Sequence, residues 1–141
     1  DETMPQITKT YAAKAGEEWK ILNAGLEDNY VDLGRSYAGG ECGYAVCYLD
    51  SKDSFRGHIV IRSAGRAKLW LNGKEILASA PPADDYPICR AQKAPAQFNA
   101  GWNQLLVKTE RRKAMWTFSC SITDVNGRWV RLQGSSPNGP P

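Results

Sequence analysis

From residue 116 to residue 123 the chain alternates without a break. Trp116, Phe118, Cys120 and Ile122 fall on one side, and Thr117, Ser119, Ser121 and Thr123 on the other. A repeat of two sends successive side chains to opposite faces of a strand, so this segment has one oily face to bury and one hydroxylated face to leave wet. A helix would scatter the same residues around its circumference. Shorter stretches with the same habit recur at residues 18–23, 30–33, 44–50, 57–63, 67–71, 74–77, 95–99, 103–109 and 129–132. Turn residues separate them. Asn72-Gly73 suits a type I′ hairpin, because both residues tolerate positive φ, and Asn126-Gly127 marks a second turn.

Helical periodicity is confined to residues 11–14, which could turn once before Gly16. A parallel sheet needs crossover helices, and the sequence offers none. About nine short strands with regular turn signals therefore predict an all-β fold, an antiparallel β-sandwich of the jelly-roll kind. Residues 1–133 read as a single domain. Residues 134–141 are Gly, Ser, Pro and Asn, with little to bury, and read as a linker-like tail.

With 141 residues the chain is long enough to own a core without staples. A net charge of +3, mixed in sign along the chain, does not suit a nucleic-acid partner, which asks for a clustered basic stripe. The densest basic run, Arg111, Arg112 and Lys113 beside Glu110, reads as a solvated hairpin tip. No apolar stretch approaches the roughly 20 residues that span a bilayer, so no membrane partner is expected. The polar start at Asp1 suits a processed, secreted chain or a piece of a longer one.

The four cysteines, Cys42, Cys47, Cys89 and Cys120, form no C-x-x-C pair, and His58 is the only histidine, which argues against zinc. Cys47 and Cys120 lie within apolar strands and read as small hydrophobes. Cys42 and Cys89 lie in loops and form the favoured bridge among the three connectivities that four cysteines allow. No nucleophile elbow, phosphate loop or His-Glu-x-x-His occurs, and His58 in mid-strand reads as structural. The chain is expected not to be an enzyme.

The segment Lys68-Leu69-Trp70-Leu71-Asn72-Gly73-Lys74-Glu75-Ile76, followed by Asn99-Ala100-Gly101-Trp102-Asn103-Gln104-Leu105-Leu106-Val107-Lys108, resembles the galactose-binding-domain-like jelly rolls. The strand at 116–124, the turn Asn126-Gly127, Tyr30-Val31-Asp32-Leu33 and residues 43–49 extend the likeness to roughly residues 30–130. These domains accompany bacterial glycoside hydrolases, polysaccharide lyases and carbohydrate esterases, and the sugar-binding domain of glycoside hydrolase family 2 enzymes is similar. The resemblance implies a secreted or cell-surface carbohydrate-binding module of a bacterial enzyme, tethering a catalytic domain to its polysaccharide. The alternative is a structural or protein-docking sandwich that binds no sugar. The matching residues are structural: Asn72-Gly73 serves a turn, Gly101 and Asn103 shape the start of a strand, and Trp70 and Trp102 read as core or edge packing.

In such modules the ligand sits in loops at one end of the sandwich, where an aromatic ring stacks on a sugar face and planar polar groups hold the hydroxyls. Two groups fit that description. The favoured one is Tyr86 with Asp84, Asp85 and Arg90; the other is Tyr37 with Arg35 and Glu41. Arginine there, or at Arg111 and Arg112, would favour an acidic glycan. No cofactor is expected, although the resemblance implies that a structural calcium could draw on Asp32, Asp50, Asp53 and Asp124.

Overall fold

Two sheets account for the alternating segments that can be followed except the one read at 129–132, where Trp129 makes only an isolated bridge to Thr123 and no strand forms at 129, 130 or 132. The computed structural model describes residues 31–33, 42–79, 90–112, 115–130, 132 and 134–136. The strand expected at 18–23 lies outside them. Nine strands occur among the described residues: β1 (Val31–Asp32), β2 (Cys42–Ser51), β3 (Phe55–Ser63), β4 (Ala67–Leu71), β5 (Lys74–Ala78), β6 (Arg90–Phe98), β7 (Gly101–Glu110), β8 (Thr117–Asp124) and β9 (Gly134–Ser136). They pair antiparallel in the orders β1-β8-β3-β6 and β5-β4-β7-β2-β9. The protein is an antiparallel β-sandwich.

The alternation sets the register. Ile59, Ile61, Ala94, Ala96, Phe98 and Phe118 from the four-stranded sheet meet Ala67, Leu69, Leu71, Leu105 and Val107 from the five-stranded one. Phe55 and Phe98 stack with ring centroids 4.8 Å apart. A one-residue slip in any of these strands would turn its apolar set to water, so the register is strongly specified. At one end Trp116 closes the core. Its Nε1 donates to Thr109 Oγ1 at 3.1 Å, and its ring lies so close to Gly43 that a Cβ there would stand 2.7 Å from it. The Arg111 guanidinium covers the same ring at 4.9 Å. Arg111 is therefore packed, while Arg112 and Met115 exchange backbone hydrogen bonds at the base of the expected hairpin tip.

The turn chemistry is as the sequence demands. Asn72 and Gly73 both adopt positive φ, 50° and 83°, in the β4–β5 hairpin. Gly101, at φ 89°, turns the chain from β6 into β7 and so from one sheet to the other. Asn103 ties these two turns together from a site that is only 1% exposed. Its Nδ2 donates to the carbonyls of Asn99 (2.9 Å), Gly101 (3.1 Å) and Leu49 (3.4 Å). Its Oδ1 accepts from Asn99 N (2.9 Å) and from Asn72 Nδ2 (2.8 Å). Asn72 Oδ1 in turn accepts from Gln104 N at 2.9 Å.

Three expectations need adjustment. The strand read at 95–99 starts earlier, at Arg90, because β6 is an edge strand; Pro95 has no N–H to offer a ladder and is tolerated there. The tail read as 134–141 begins with β9, whose residues pair with Tyr48, Leu49 and Asp50. Its Gly-Ser-Ser sequence has no apolar alternation to betray a strand. The Cys42–Cys89 bridge is not formed: Cys42 is an exposed free thiol at the start of β2, and Cys89 lies outside the described residues. At that strand end the ladder sets Cys42 opposite Glu110.

Cys47 and Cys120 are free, pack against the core as small hydrophobes, and belong to opposite sheets. Burial pushes the Cys47 thiol up to about 11. Burial, helped by the neighbouring Cys47, pushes Cys120 up to about 12.

Two predictions follow from this packing. Asn103→Leu leaves the Asn99 and Asn72 amides and three carbonyls without their partner, so it should lower the unfolding free energy by about 2–4 kcal/mol in urea titration. Both thiols ionise more readily in the unfolded chain, near the ordinary 9.0, than in the folded one. Their neutral burial stabilises fully below pH 9 and is lost as the pH rises toward 11 and 12. The alkaline fall in stability should accordingly be shallower in a Cys47→Val, Cys120→Val variant than in the native chain.

Candidate functional site

Tyr37, Arg35 and Glu41, and likewise Tyr86, Asp84 and Asp85, lie outside the described residues. Arg90 opens β6. The acids considered for calcium do not gather: among the described residues no group of three or more metal-ligating side chains occurs. Asp124 spends its carboxylate on a turn, accepting from Asn126 N at 2.8 Å and Arg128 N at 3.0 Å. Among the described residues Asp32, Asp50, Asp53 and Asp124 do not come together as a calcium site.

That same turn builds a surface the alternation pattern did not single out. Asp124 N donates to Arg128 O at 2.8 Å, and Val130 N to Ile122 O at 3.0 Å. These two bonds flank the bridge between Thr123 and Trp129, which is therefore a narrow, non-hydrogen-bonded pair with Cα atoms about 4.5 Å apart. Directly paired residues share a face. The row Trp129–Thr123–His58–Pro95 thus crosses the outer face of the four-stranded sheet. Trp129 is 74% exposed and Val125, on the same turn, 65%. Water does not favour such a ring in the open, and a fixed turn holds it there. Thr123 beside it is buried, and its Oγ1 has no hydrogen-bond partner among the described residues.

His58 is half-buried on that row and, with Arg56, Gln97, Lys74, Ile76 and Val125, lines an open hollow of about 350 Å³. Arg56 Nε donates to Gln97 Oε1 at 3.3 Å, which holds both planar groups at the rim. Among the described residues no carboxylate lines the hollow. Its described lining offers planar polar groups, Arg56, His58 and Gln97, beside the apolar Ile76 and Val125.

The opposite outer face also carries rings, but they are engaged. Across β4, β7 and β2 the rows are Lys68–Lys108–Tyr44 and Trp70–Leu106–Val46, with Gln104 opposite Tyr48. Lys68 Nζ sits 5.4 Å from the Trp70 ring and pairs with Glu75 at 2.7 Å. Lys108 Nζ sits 5.8 Å from the Tyr44 ring, and Gln104 Nε2 donates to the Tyr48 hydroxyl at 3.3 Å. Trp70 and Leu106 are 2% and 0% exposed although they point away from the core between the sheets. Trp70 packs, as expected, and Trp102 is half-buried beside Asp50.

The described residues define an antiparallel β-sandwich whose fold is similar to that of known structures. A family 35 carbohydrate-binding module from an environmental isolate superposes with a TM-score of 0.53 and 15% identity, covering 86% of this chain and 88% of that module. A β-glucosidase from Kluyveromyces marxianus, solved in complex with glucose, matches with a TM-score of 0.50 and 9% identity. That match covers 77% of this chain but 12% of the enzyme, so the chain spans only a small part of its length. At these identities the likeness is one of fold. No family model matches the sequence, and no curated protein matches it.

The unpartnered Thr123 hydroxyl yields a prediction about stability. Thr123→Val removes a polar atom held from water without a bond, so it should raise the unfolding free energy by about 1 kcal/mol, read as a higher urea midpoint at unchanged slope.

Proposed function

We infer that the protein is a non-catalytic carbohydrate-binding module whose ligand stacks on Trp129. The observation that carries this reading is the ring itself, 74% exposed on a turn that four backbone and carboxylate bonds hold in place. An indole face suits the apolar C–H face of a pyranose, and the hydroxyl edge finds Gln97, Arg56 and His58 nearby. The loop groups around Tyr86 (Asp84, Asp85, Arg90) and Tyr37 (Arg35, Glu41) are retained as proposed second contacts. The setting proposed is a secreted or cell-surface bacterial protein with a tethered catalytic domain. Weak binding there raises the concentration of that domain at its polymer without any chemistry in the module.

The test is affinity electrophoresis of the chain in gels containing soluble polysaccharides. Retardation is expected, with Trp129→Ala lowering the affinity by about tenfold or more. Tyr86→Ala and Tyr37→Ala measure the loop groups in the same gel. Retardation by no polysaccharide, with Trp129 instead protected when a neighbouring domain is present, would favour the protein-docking alternative. Sugar release by the isolated chain would contradict a module without chemistry.

A further inference from the structure

The outer face of the four-stranded sheet continues beyond Trp129, and its charge is one-sided. From β3 it carries Arg56, His58, Val60 and Arg62; from β6, Ala91, Lys93, Pro95 and Gln97; from β8, the hydroxyl row Thr117, Ser119, Ser121 and Thr123. Arg56, Arg62 and Lys93 are exposed. Arg62 and Lys93 have no ion pair among the described residues. Lys93 pairs with Val60, two residues from Arg62 on the neighbouring strand, which places the two cations diagonally, about 7–8 Å apart at their backbones. The single described acid on this face is Asp32, paired with Thr117 at the far edge and engaged in an interaction of its own.

Building on the carbohydrate reading, we propose that this face takes an anionic polysaccharide. One sugar ring lies on Trp129, and carboxylate or sulfate groups further along the chain meet Arg62 and Lys93. The dimensions agree: residues six apart on one strand, as Arg56 and Arg62 are, span about 20 Å, room for several sugar units. Guanidinium matches a carboxylate or sulfate two-pronged, and the ammonium adds a point charge. The hydroxyls of Ser119 and Ser121 lie one strand over and can hydrogen-bond either the acid groups or the sugar edge. A single exposed indole with a sparse set of cations suits a glycan better than a nucleic acid, which asks for a dense basic stripe or a run of stacking rings.

The experiment measures binding of the full chain to polygalacturonate, dextran sulfate, neutral dextran and a single-stranded DNA oligonucleotide at low and high salt. Tighter binding to polygalacturonate or dextran sulfate than to dextran, weakening with salt, is expected, and the stronger of the two arms names the acid group. An Arg62→Gln, Lys93→Gln variant should lose about tenfold in affinity for the acidic polymer and nothing for a neutral one. Its unfolding midpoint should not move, because both side chains are exposed. Trp129→Ala should weaken both kinds of binding. Equal affinity for neutral and acidic polymers, or an unaffected double variant, overturns the anionic assignment and leaves the carbohydrate reading standing. DNA bound as tightly as the acidic glycans, and released by the same double substitution, overturns it in favour of nucleic acid. Retention by no polysaccharide removes the carbohydrate reading together with this proposal.

Discussion

The sandwich depends on one buried amide. A β-sandwich needs its chain to leave one sheet and join the other without losing register, and between β6 and β7 that crossing is made within Asn99, Ala100 and Gly101. Gly101 supplies the positive φ. Asn103 supplies everything else: it bonds the corner on both sides and reaches β2 at Leu49 and the β4–β5 hairpin through Asn72. Within the core its amide has no water to fall back on, so its bonds are worth most when all are made together. Leu105 and Val107 follow on the same strand and the same face. A misplaced corner would turn both out of the core, so the polar hub and the oily interior specify one register jointly.

That dependence explains why some of the fold was legible and some was not. The Trp116-to-Thr123 alternation became β8 with its apolar face buried, because a period of two has only one way to sit on a core. Asn72-Gly73 became a positive-φ hairpin, because few other dipeptides accept that backbone. In Gly101-Trp102-Asn103 the structural part was correctly read as structural, but sequence alone could not reveal that Asn103 joins two turns thirty residues apart in the chain. β9 left no trace, because an edge strand of Gly and Ser is held by backbone bonds and carries no pattern. The Cys42–Cys89 pairing failed for a related reason: loop membership says nothing about whether two Cβ vectors meet.

The site was harder to read than the fold. Trp129 looked like the first residue of a closing strand, since an aromatic after Asn126-Gly127 and before Val130 has the right composition for one. Only the bridge to Thr123 and the resulting exposure separate it from the buried tryptophans Trp70 and Trp116. A signal did exist in the neighbouring row. Thr117, Ser119, Ser121 and Thr123 are hydroxylated throughout, so any residue paired beside them on that face must be outward.

The two outer faces then differ in what they leave available. On the five-stranded sheet each described cation near a ring is already placed over it, and the central rung is buried, so the face is satisfied internally. On the four-stranded sheet the ring projects, and among the described residues the Thr123 hydroxyl beside it has no partner and two of the cations have no acid. A fold shared with a carbohydrate-binding module and with a small part of a β-glucosidase cannot decide between such faces, because a common fold does not fix where a ligand binds. What decides is which face still has interactions to make. A protein surface gains from a ligand only what it has not already gained from itself, and by that measure the wet face of the alternating strand is the one left open.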